Sequence, residues 1–95
     1  MKNGFNHIDL GSFQISGDPP YEVRLPNISK SHLIDMLNSG KLCYATFHTP
    51  VFGENSVLMY KHSNYFSTLC ILNGIATIML LSYDEYGVYV RLVFS

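Results

Sequence analysis

Tyr65-Phe66-Ser67-Thr68-Leu69-Cys70-Ile71-Leu72-Asn73-Gly74-Ile75-Ala76-Thr77-Ile78-Met79-Leu80-Leu81-Ser82-Tyr83 runs for nineteen residues without a charge. Its reading decides the fold. About 20 apolar residues suffice to cross a bilayer as a helix, and tyrosines flank this stretch as they flank membrane spans. Asn73-Gly74 lies at its centre, where polar groups cost most, and Ser67, Thr68, Thr77 and Ser82 dilute it. Lys and Arg show no bias to either side. A span is therefore disfavoured, and two buried strands around a turn are preferred. Asn-Gly is the strongest short hairpin cue, because a type I′ turn needs positive φ at both central residues. The same dipeptide also ends helices. Residues 64–72 thus admit a helix capped by Ser63, with Tyr65, Phe66, Leu69, Cys70 and Leu72 on a broad stripe. The strand is the preferred assignment.

C-terminal to this stretch, Asp84-Glu85-Tyr86-Gly87 is a polar loop joining Ile75–Tyr83 to Val88–Phe94. Val88, Val90, Leu92 and Phe94 alternate on one face, with Tyr89, Arg91 and Val93 opposite. N-terminal to it, Leu42–His48 and Ser56–His62 read as strands, separated by breakers at Thr49-Pro50 and Gly53-Glu54-Asn55. Both faces of Leu42–His48 are largely apolar, which predicts a central strand. The clearest helix is 30–39. Ser29 is a good N-cap, and Leu33, Met36 and Leu37 form one stripe widened by Ile34. Gly40 stands where a left-handed residue closes a helix. Before the helix, Tyr21–Leu25 alternates as a half-buried strand ended by Pro26. Residues 1–20 read as irregular, punctuated by Gly4, Gly11, Gly17 and Asp18-Pro19-Pro20, with a short strand over Ser12–Ser16. The expected architecture is a single α+β domain over 1–95. An antiparallel sheet of four to six strands carries one helix, about 30–39, on one face.

The 95 residues are 47% hydrophobic but only 14% charged, against roughly 25% charged in an average domain. Six Lys and Arg nearly cancel seven Asp and Glu, leaving a formal charge of -1. That balance disfavours a polyanionic nucleic acid or membrane partner and offers little colloidal repulsion between copies. Cys43 and Cys70 sit in apolar runs and read as buried, reduced thiols. No apolar signal segment is visible in Met1–Leu10, so a reducing cytoplasm is expected.

No pattern of catalytic or cofactor-binding residues is legible. The histidines, His7, His32, His48 and His62, form no close pair of the kind that announces zinc. Cys43 and His48 are separated by an odd number of residues, so a strand points them to opposite faces. The apolar setting of Cys43 and Cys70 raises thiol pKa values and disfavours a nucleophile. No metal site, no cofactor and no enzymatic activity are expected. Aromatic sheet faces can stack single-stranded nucleic acid, but Lys41, Lys61 and Arg91 are the only basic residues from Lys41 onward.

The charge deficit itself carries the functional expectation. From Lys41 to Ser95 the charges are Lys41, Glu54, Lys61, Asp84, Glu85 and Arg91. One helix does not cover both sides of a multistranded sheet. Either the N-terminal segment seals the second side, or an apolar, tyrosine-rich surface meets another molecule. The second alternative predicts a non-enzymatic protein-binding domain, as a homodimer or as a stoichiometric inhibitor or adaptor. A phage or mobile-element protein that blocks a host or defence system would suit that style. Tyr86, Tyr89, Arg91 and Tyr60 are the candidate partner-binding residues, of types enriched at interfaces. An exposed final strand pairing edge to edge with a copy of itself is a further possibility. The alternative function is a small-ligand or nucleotide-binding protein, with His48, His62 and Tyr60 lining a pocket between helix and sheet.

Overall fold

The computed structural model describes residues 4–94. The uncharged stretch is a hairpin of two strands, β5 (Phe66–Leu72) and β6 (Ile75–Asp84). Asn73 and Gly74 between them have φ of 52° and 78°, the paired positive values that a type I′ turn demands. The strand assignment for 64–72 therefore holds from Phe66 onward. No helix among the described residues is long and apolar enough to cross a membrane. β6 turns directly into β7 (Gly87–Phe94), and the Asp84 carboxylate accepts from the Tyr86 amide at 2.8 Å within that turn.

The remaining elements are β1 (Phe5–Ser12), β2 (Tyr21–Arg24), α1 (Lys30–Asn38), β3 (Leu42–Thr49) and β4 (Gly53–Lys61). All strands join one sheet in the order β1-β3-β4-β5-β6-β7-β2. The expected α+β character stands, with one helix on a sheet. Two parts of the expectation are corrected: the sheet has seven strands, not four to six, and it is mixed, because β1 runs parallel to β3. The extra strand comes from the N-terminal segment. Ile8 and Leu10 alternate with His7 and Asp9 and are buried, so the strand lies over Phe5–Ser12 and not Ser12–Ser16. β4 also starts earlier than expected. Gly53, at φ 68°, makes the turn out of β3, and Glu54 and Asn55 already pair with His48 and Phe47. The final strand is not an edge: β2 pairs along it from Tyr21–Leu92 to Arg24–Tyr89, which excludes edge-to-edge pairing through β7.

The helix forms where its caps allow. The Ser29 hydroxyl accepts from the His32 amide at 3.1 Å, and Gly40 takes φ 75° beyond the last turn. Nine residues are too few for an isolated helix in water, so its buried stripe of Leu33, Met36 and Leu37 holds it to the sheet. That stripe packs beside β6 and β7 on the inner face, which is built from Cys43, Ala45 and Phe47 of β3, Val57 and Met59 of β4, Phe66 and Leu72 of β5, Met79 and Leu81 of β6, and Val88, Val90 and Leu92 of β7. Phe13, Leu25 and Ile28, from the segments flanking β2, enter the same core.

The sheet curls into a half-barrel, and its pairing is thinnest at one seam. β4 and β5 share only the pairs Tyr60–Ser67 and Lys61–Phe66, whereas β5–β6 and β6–β7 are paired along nearly their full lengths. The two halves meet over the core where Phe52, in the β3–β4 turn, lies 5.6 Å from Phe94 of β7 between ring centroids. Phe13 stacks on Phe47 at 5.7 Å within the β1–β3 half.

Candidate functional site: the open sheet face

Side chains alternate across a strand, so the inner face defined above dictates what points the other way. On β5–β6–β7 the outward positions form cross-strand rows. Leu69, Ile78 and Val93 are one row, and Ile71 with Ala76 is the next. In the third, Ser67, Leu80, Arg91 and Glu22 follow one another across β5, β6, β7 and β2. Leu69 is 71% exposed, Ile71 66%, Ile78 51% and Val93 42%. Neither α1 nor the N-terminal segment covers them among the described residues. The N-terminal strands lie at the two edges of the sheet, and Phe13, Leu25 and Ile28 go to the inner side. Singly exposed apolar side chains are ordinary on protein surfaces; a contiguous set of this kind marks an interaction site far more often.

The expected partner residues border this patch. Arg91 donates to the Glu22 carboxylate at 2.7 Å. Arg24 grips Asp84 through both terminal nitrogens, at 2.7 and 2.6 Å. The Tyr89 ring lies near both guanidinium carbons, 5.1 Å from that of Arg24 and 5.5 Å from that of Arg91. Tyr86, 79% exposed at the hairpin tip, takes the Arg24 guanidinium at 5.7 Å. Tyr86, Tyr89 and Arg91 are thus brought together, in one network with Glu22, Arg24 and Asp84. Tyr60 stands apart, exposed on the same side beyond Ser67 at the β4–β5 seam.

The hydrogen bond from Arg24, with a further one from the Tyr86 amide, holds the Asp84 carboxyl at about 2, below its ordinary 3.8. A carboxylate whose pKa falls on folding adds stability above its unfolded value and loses it as pH drops through the folded one. The Arg24–Asp84 link is therefore expected to weaken between about pH 4 and pH 2. Asp84→Asn should flatten that part of an acid unfolding curve followed by circular dichroism. The pair is solvent-exposed, so added salt should shrink the effect.

His48, His62 and Tyr60 do not converge. His48 faces outward on β3 beside Glu54 and lines an open polar concavity of about 510 Å³ with Asp9, Thr46 and Ser56. Tyr60 lies six residues further along β4 than Glu54, on the order of 20 Å away at the usual strand rise. His62 accepts or donates at 2.8 Å to the Ser67 hydroxyl and stacks on Tyr65 at 4.5 Å. None of the three lies between helix and sheet. Among the described residues, no three His, Cys, Asp or Glu side chains are grouped to hold a metal ion.

Both thiols are free. Burial pushes Cys43 up to about 11 from 9.0, and pushes Cys70 up as well. A thiol whose pKa rises on folding supports the fold below its unfolded value and stops doing so as pH climbs through the folded one. Stability should therefore decline between about pH 9 and 11, and Cys43→Ala should remove part of that slope. In a thiol-labelling assay at neutral pH, Cys43, fully buried, should react only on unfolding, and Cys70 sooner.

The apolar rows themselves escape a reading of the sequence. Leu69 and Ile71 face outward only if residues 66–72 are a strand, and a helix there would bury Leu69. Val93 is the exception, since alternation along 88–94 already separates it from Val90 and Leu92. Comparison with protein-family models, with curated proteins and with solved structures finds no match for this chain.

Proposed function

We propose that this chain is a non-enzymatic protein-binding domain that acts by occupying a partner's surface, as an adaptor or stoichiometric inhibitor. The single observation behind this reading is the contiguous outward set of Leu69, Ile71, Ile78 and Val93, left open on a sheet whose other side carries the core. Apolar surface on this scale gains roughly 25 cal/mol for every Å² withdrawn from water. The Tyr–Arg network beside it supplies residue types that dominate binding energy when buried at an interface. A cytoplasmic setting accords with two free thiols. A phage- or mobile-element-encoded blocker of a host protein would act in this manner. The small-ligand reading has weaker support, because the residues it needs lie far apart.

The test is comparative capture. The full chain and a Leu69→Lys, Ile71→Lys variant are immobilised and exposed to the same lysate of the encoding organism. Both side chains are largely in solvent, so the variant should fold, which its circular dichroism checks. A protein retained at stoichiometric level by the parent and lost by the variant is the expected result. Identical retention by the two, or none by either, would count against the proposal unless the retained species is the chain itself.

A further inference from the structure

We infer that the first occupant of the open face is a second copy of this chain, stacked sheet on sheet about a twofold axis. This rests on the protein-binding reading and names its partner. The β5–β6–β7–β2 part of the sheet is suited to such stacking, because its four strands are paired without a register shift. Twisted sheets of this kind pack face to face about 10 Å apart, with strands of the two layers within about 30°.

Charge disfavours a strongly charged partner and leaves a copy compatible. The ions around the face are Glu22, Arg24, Asp84 and Arg91, two of each sign, and each is paired inside the monomer. A partner of complementary charge would find nothing to answer without breaking those pairs. A copy meets no net like charge. Its apolar row is also automatically complementary to itself across a twofold axis, where the same patch serves both subunits.

The edges argue for stacking over strand addition. β2 is four residues long, lies between Pro20 and Pro26, and presents Glu22 and Arg24. β1 is broken by an irregularity between Asp9 and Gly11. Short, charged or irregular edges are how sheets resist pairing with further strands. The faces are left as the route to association.

Size sets the strength. The three strands β5 to β7 at a spacing of about 4.8 Å, over six residues at about 3.3 Å each, give a plane of roughly 14 by 20 Å before side-chain relief. A standard interface takes about 800 Å² from each partner, so the apolar rows alone fall short and the Tyr89 rim must join them. The dimer should therefore be reversible and concentration-dependent.

Sedimentation equilibrium on the full chain, from micromolar to near-millimolar concentration, should show monomer giving way to dimer. Leu69→Lys and, separately, Leu69→Glu should each weaken the dimer at least tenfold with the melting temperature little changed. Ile78→Lys provides a second, independent break. A parent that stays monomeric throughout, or a dimer indifferent to both Leu69→Lys and Ile78→Lys, would overturn the stacked dimer. Each of those results leaves the broader reading to the capture comparison, which fails only on its own terms.

Discussion

Phe66→Ala is expected to lower the unfolding free energy by about 3–5 kcal/mol, the usual cost of removing a buried phenylalanine ring. Phe66 is fully buried at the start of β5. Its position makes the loss more than a cavity. It pairs with Leu81 on one side and, on the other, with Lys61 in one of the only two residue pairs joining β4 to β5. Few backbone hydrogen bonds cross that seam, so side-chain packing must hold it. Urea unfolding gives the magnitude, and amide exchange should locate it. Protection should fall first at Tyr60, Lys61 and Ser67, with the β6–β7 ladder less affected. A loss below about 1 kcal/mol would mean that the seam is held elsewhere.

Leu33→Ala should cost about 2–5 kcal/mol, for a different reason. Leu33 is wholly inaccessible and sits at the centre of the only helical stripe among the described residues. A nine-residue helix lacks the length to persist on its own, so anchorage and helicity are lost together. The far-ultraviolet helical signal should therefore begin to melt before the sheet in this variant. Total stabilities of domains this size are roughly 5–15 kcal/mol, so either substitution removes a large fraction. If Leu33→Ala melts in a single step with unaltered midpoint, the helix is held by Met36 and Leu37 alone.

What could be read from residues alone follows from how local each signal is. Ser29, the 33–36–37 stripe and Gly40 lie within one another's reach along the chain, and the helix appears at Lys30–Asn38. The β6–β7 hairpin is similarly local, with its turn chemistry at Asp84–Gly87. β1 is different. Its partner is β3, more than thirty residues later, and neither the direction of that pairing nor its register leaves a trace near Ile8. Hence a parallel ladder stands where an irregular segment was expected. The candidate site shows the same limit. The shortage of charge left two outcomes, a second side sealed by the N-terminal segment or one left open, and which residues would be open depended on whether Leu69 belonged to a helix or a strand. The Tyr–Arg group was legible as residue types; that its ions satisfy one another, through Glu22 and Asp84, was not.

The placement of β2 has a kinetic corollary. Tyr21 finds its neighbour only when Leu92 exists, and Arg24 only when Tyr89 does. At roughly 5–20 residues per second of synthesis, this strand waits several seconds beside a ribosome with its backbone unsatisfied. Loop closure over such a distance also makes folding slow compared with helical domains of equal size. Newly made chains should therefore be most exposed to chaperones and proteases just before the last strand emerges.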